Sequence, residues 1–256
     1  MTSSNPAFSQ DMFAGYAQVY GKERTRSTVT TVQGSVAKTF LLLAILSFTA
    51  LWSWNSFGTA QFPRVLLPVS AIGGLIVAMI TIFKPTAAPV TAPIYAALEG
   101  VFLGAISKIY DIAYAAKFEG TGGIAMQAVM LTSGVLFVML FIYGTRLIRV
   151  TEKLQMGIIA ATGALALFYM VTMLLSLFGV HMPLVFSSSP LGIGFSLLVV
   201  GIAAFNLLLD FDFIEKAAYA GAPKYMEWYG AFGLIVTLVW LYLEVLRLLR
   251  KLADNR

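Results

Sequence analysis

The chain is predicted to be an all-α integral membrane protein, a bundle of seven transmembrane helices. Three observations carry this. Of 256 residues, 59% are hydrophobic and 11% charged, whereas soluble domains carry about 25% charged residues. Mean hydropathy is +0.84. The apolar residues gather into seven runs, each near the roughly 20 residues that cross a bilayer as a helix.

Composition also excludes chemistry. Without cysteine there is neither a disulfide framework nor a thiolate metal site. A single histidine, His181, rules out any mechanism built on a histidine pair. The net charge of +5 flanks the apolar runs, a pattern that suits anionic headgroups and not nucleic acid.

Residues 1–35 read as a polar cytoplasmic tail ahead of a transmembrane domain at 36–256. The tail holds Lys22, Glu23, Arg24 and Arg26, and has no apolar core followed by a small-residue cleavage site. Its aromatics Phe8, Phe13, Tyr16 and Tyr20 fit either a short interfacial helix or a flexible segment.

The first run, Val36 to Trp54, ends in the interfacial anchors Trp52 and Trp54. The second, Val65 to Phe83, opens after Pro63 and Arg64, stops at Lys84-Pro85, and carries Gly73-Gly74 near its middle, where helices can approach closely. The third, Pro93 to Tyr110, holds Glu99 and then Gly100 and Gly104 in GxxxG spacing. The fourth, Ile124 to Tyr143, follows a glycine-rich loop that is too short for a phosphate site. The fifth, Met156 to Phe178, follows Arg146, Arg149 and Lys153.

The sixth and seventh runs are the informative ones. Leu191 to Phe213 carries Asn206, Asp210 and Asp212 in its second half, and Trp228 to Leu249 carries Glu244; Ile214, Glu215, Lys216 and a Gly-Ala-Pro turn join them. Acids at membrane depth are costly and usually face a protein interior or a water-filled cavity. On a helix Asn206 and Asp210 lie about 40° apart, while Asp212 is about 200° from Asp210. Asp210 is therefore expected to look into the bundle, with Asp212 pairing with Lys216 one turn on. The plainer alternative wets all of them at the interface. Glu99 is open in the same way, as a proton or cation group on a pathway or as a snorkelling acid. Thr237, Trp240 and Glu244 share a face. Glu244 either forms a simple ion pair with Arg247 or makes Arg247 a latch that opens on protonation.

With the N-terminus inside, the inner segments hold ten basic residues: Lys22, Arg24, Arg26, Lys38, Lys84, Arg146, Arg149, Lys153, Lys216 and Lys224. The outer loops hold three, Arg64, Lys108 and Lys117, so the bias favours a cytoplasmic N-terminus. The basic C-terminus, Arg247, Arg250, Lys251 and Arg256, disagrees unless the last segment re-enters. No internal repeat of the transporter kind is visible. Zincin and nucleophile-elbow motifs are missing, no catalytic residue is assigned, and the chain is not expected to be an enzyme.

Three segments resemble the Bax inhibitor-1 family. Asp210-Phe211-Asp212-Phe213-Ile214-Glu215-Lys216-Ala217 is similar to its sixth-helix motif, and Leu243-Glu244-Val245-Leu246-Arg247-Leu248-Leu249 to the end of its last helix. Glu99-Gly100-Val101-Phe102-Leu103-Gly104 is similar to its third-helix segment, and the long polar tail resembles a bacterial branch. The resemblance implies a bundle around a central C-terminal helix and a pH-sensitive cation leak, with Ca²⁺ as the permeant ion, in the inner membrane of a bacterium. No cofactor is implied. It also implies two proton-sharing aspartates on the sixth and last helices. Asp210 matches the first, whereas Thr237 stands at the partner position and cannot titrate.

The reading that follows is a calcium leak gated by protonation of Asp210, which would touch Ca²⁺ transiently. Asn206, Thr237 and Glu244 would add oxygen atoms, the ligands hard cations prefer. Partners are then the bilayer, protons and Ca²⁺. The rival is a non-transporting regulator that binds another membrane protein, such as a protease, through the faces of Gly73-Gly74 and Gly100/Gly104.

Overall fold

The structure, a computed structural model, describes residues 29–59, 62, 65–179 and 187–255. Residues 1–28 of the tail, with its basic cluster and aromatics, lie outside them, as do Pro63, Arg64, His181 and Arg256. Seven long helices are present: α1 Val32–Ser56, α2 Leu66–Phe83, α3 Ala88–Tyr114, α4 Gly123–Gly144, α5 Glu152–Leu177, α6 Pro190–Tyr219 and α7 Met226–Asp254. All seven are long and apolar enough to cross a membrane. The chain is thus an all-α, multi-pass membrane protein. Among the described residues the only β pairing is an isolated bridge between Val29 and Pro223.

Local chemistry sets the helix ends. Thr31 caps α1, its hydroxyl accepting from Gly34 N at 2.9 Å, so the helix starts ahead of the expected Val36. Thr151 caps α5 likewise, with Glu152 favourably placed in the first turn. Gly122 precedes α4 with φ 81°, a left-handed conformation that suits glycine.

Two expected boundaries need correction. The third span begins before Pro93: a short 3₁₀ turn at Pro85–Ala87 leads into α3, and Pro93 lies inside the helix. Ile214, Glu215 and Lys216 are not a linker; α6 runs through them to Tyr219. The last helix is unbroken over 29 residues, so it does not re-enter.

The chain divides into two compact units, Met1–Lys108 with Asp210–Val236, and Ile109–Leu209 with Thr237–Arg256. In the first, α3 lies tightly on α1. A Cβ at Gly100 or Gly104 would overlap the backbone of α1 at Leu46 or Ala50, and Ser53 Oγ donates to Val101 O at 2.7 Å. Thr81 of α2 donates to Thr91 of α3 at 2.7 Å. Tyr95 packs edge-on against Phe232 of α7, with centroids 5.1 Å apart. In the second unit, Phe195 of α6 packs against both Phe168 and Tyr169 of α5.

Burial separates α7 from the rest. Two thirds of its apolar window is buried (67%), against 17% for α1, α2 and α5. Large apolar side chains are exposed on every other helix, such as Phe40, Ile72, Phe137 and Leu177. On α7 the described residues include only Leu252 in that class. Such outward-facing side chains are what lipid contact requires, and their near-absence makes α7 the shielded helix.

Candidate functional site

In the second unit, four charged residues of α7 fall on one stripe at spacings of three, four and three: Glu244, Arg247, Lys251 and Asp254. Each is engaged. Arg247 Nη1 reaches both oxygens of Glu244 at 2.7 Å. Tyr169 of α5 joins them, its hydroxyl accepting from Arg247 at 2.8 Å and donating to Glu244 Oε1 at 3.1 Å. The guanidinium also stands 5.3 Å from the Tyr169 ring centroid, within cation–π range. Lys251, with no exposed surface, donates to Gly192 O of α6 at 2.9 Å. Asp254 accepts from Tyr114 and Ser188 and lies 3.9 Å from Lys117.

Glu244 is 2% exposed and sits ten residues before Asp254, about 15 Å along the helix at 1.5 Å per residue. A carboxylate there is kept out of water by protein on all sides and must be compensated locally. The guanidinium supplies the charge and the phenol a further donor.

The other singled-out residues are placed separately. Asn206 donates to Thr162 of α5 at 2.8 Å and to its own helix at Ile202 O. Thr237 belongs to the second unit and is buried. Asp210 belongs to the first unit and is partly buried. There its Oδ1 would stand 3.7 Å from a Cβ built on Gly233 of α7. The α7 position set against Asp210 in that unit is therefore a glycine one turn before Thr237. Asp212 pairs with Lys216 at 2.5 Å. Glu99 faces α2, its Oε1 2.7 Å from where a Cβ on Gly74 would lie.

Two groups escaped the sequence. Tyr169 is one aromatic in an apolar run, and only its tertiary contacts single it out. Glu227, 1% exposed, accepts from Thr31 N, Thr31 Oγ1 and Lys224 Nζ at 2.8–3.0 Å. Its place in the first turn of α7 was readable as a helix-start signal, its hold on α1 was not.

No group of three or more His, Cys, Asp or Glu suited to a resident metal occurs among the described residues. No curated protein and no solved structure matches the chain at a significant level. The family model described as Bax inhibitor 1 like matches residues 5–254, nearly the whole length. An unbroken, largely buried last helix accords with that match, and the chain belongs to the Bax inhibitor 1 like family.

Proposed function

We propose that the protein is a pH-sensitive cation leak in the cell membrane, with Ca²⁺ as its permeant ion. In this reading the Glu244–Arg247–Tyr169 cluster is the latch and Asp210 the protonated trigger. The observation that carries it is the buried ion pair itself: Glu244 at 2% exposure, held by one guanidinium at 2.7 Å and by one phenol. Protonating an acid beside an arginine removes their attraction and biases a closed-to-open equilibrium. Asp210 stands beside the bare backbone of Gly233 and is the acid assigned to the proton in this reading. Family membership supports a membrane role of this kind.

The basic residues of the inner loops support a cytoplasmic N-terminus, with residues 1–35 as a cytoplasmic tail, in the inner membrane of a bacterium. Seven single crossings would then put the C-terminus on the outer face. Nothing in the structure favours the regulator through its glycine faces, because Gly100 and Gly104 are occupied by α1 and Gly74 by Glu99.

The test is Ca²⁺ uptake into proteoliposomes across a pH series. Uptake that rises as pH falls, and that loses its pH response in Asp210→Asn, supports the leak. Absence of flux together with co-purification of a stoichiometric membrane partner would establish the regulator instead.

A further inference from the structure

Four acids of the described helices sit beside a cation: Asp212 with Lys216 at 2.5 Å, Glu227 with Lys224 at 2.8 Å, Glu244 with Arg247 at 2.7 Å and Asp254 with Lys117 at 3.9 Å. Glu99 is different. No hydrogen bond or ion pair holds its carboxyl among the described residues, although it lies deep in its span. Counting along the 33-residue span Pro85–Lys117, it is fourteen residues from one end and eighteen from the other. At 1.5 Å per residue, that is about 21 Å and 27 Å.

The carboxyl points inward. Ala92, Tyr95, Ala96 and Leu103 on its face of α3 are buried, while Phe102, Ile106 and Glu99 itself are half-buried. It occupies a notch in α2, where the oxygen would stand only 2.7 Å from a Cβ at position 74 and a side chain there would have to displace it. Gly74 is near the middle of α2, Leu66–Phe83, so both helices place the notch far from either end. The groups around it carry no charge. On α2 these are Gly73 and Gly74; on α1, Thr49 offers a hydroxyl against Gly100, the next residue. On α7, Phe232 packs against Tyr95, whose phenol, one turn before Glu99, is an ionisable neighbour.

An ionised carboxylate in such a place has no counter-charge from the described residues, and leaving it bare in a low-dielectric interior is expensive. We infer that the Glu99–Gly74 notch is a proton-binding site inside the membrane. The proton is the counter-ion the protein itself does not supply. This holds whether or not the chain leaks Ca²⁺.

Dicyclohexylcarbodiimide tests it, because this apolar reagent is captured by the protonated acid, which adds across the carbodiimide to give a stable acylurea. The folded protein in membranes is labelled at a series of pH values, and the peptide bearing residue 99 is read by mass spectrometry. Glu99→Gln serves as the positional control. The expected result is an adduct at Glu99 whose formation rate falls roughly tenfold or more between about pH 5.5 and about pH 8.5, as the acid form is depleted. Gly74→Ala, which forces the oxygen out of the notch, should change that rate while leaving helicity intact. No adduct at Glu99 at any pH, or a rate that ignores pH, overturns the inference. Protection by Na⁺ at fixed pH also overturns it, by assigning the notch to an alkali cation.

Discussion

A double-mutant cycle on Glu244 and Arg247 puts the central cluster to a quantitative test. Glu244 has 3% of its side chain exposed and Arg247 31%, so the two ends are not equivalent. Removing one partner of a fully buried pair costs about 3–5 kcal/mol, because the other charge is left uncompensated. In Glu244→Gln the stranded guanidinium still reaches solvent and the Tyr169 ring, which lowers the expected cost to about 1–2 kcal/mol. In Arg247→Leu the stranded group is the buried carboxylate, with only the Tyr169 hydroxyl left to it. That side should cost more, about 2–4 kcal/mol. With about 2–4 °C per kcal/mol for a chain of this size, thermal unfolding in detergent should resolve the two. The double variant should recover about 1–2 kcal/mol of coupling. Coupling below about 0.5 kcal/mol, or Glu244→Gln being the more harmful change, would place the pair in the class of weak surface bridges and refute the latch.

Three further outcomes are expected. Asp210→Asn should abolish the pH response of Ca²⁺ uptake while Asp212→Asn, which only frees Lys216 at the interface, leaves it within about twofold; equal shifts in both would show that the inward face is misassigned. Gly233→Asp sets a second carboxyl against Asp210 and should give uptake a two-step pH profile, as coupled acids do, where Gly233→Ala, whose Cβ makes ordinary contact, keeps one step. Gly104→Leu should prevent α3 from seating on α1 and lower the yield of folded protein several-fold on size exclusion, since overpacking costs about 1–3 kcal/mol or more.

How much of this could be read from the residues depends on what each signal rests on. Apolar runs report spans directly, and all seven fell where they were expected because hydrocarbon tolerates little else. The boundary at Pro93 failed because a proline near the start of a helix interrupts little, and Pro85 one segment earlier is the real punctuation. The Ile214–Lys216 linker failed because charge alone does not end a helix: α6 continues where its acids and bases pair at one-turn spacing, as Asp212 and Lys216 do. Glu244 and Arg247 were visible as a pair because they are three residues apart. Tyr169 was invisible beside them because it lies 75 positions before Glu244. Asp210 stands beside Gly233, which has no side chain by which a sequence could announce it.

The way α1 begins has a consequence for biosynthesis. Thr31 N and Thr31 Oγ1 both donate to Glu227, 196 residues further along the chain, Thr30 N donates to Ala222 O at 2.8 Å, and a Cβ on Gly34 would collide with the same carboxylate. Among the described helices, α1 therefore waits for α7 before its leading end is complete. Until residue 227 has been made and inserted, the amide of Thr31 has only water or headgroups to bond. A chain that stalls before residue 227 would leave that end of α1 without the carboxylate that holds it.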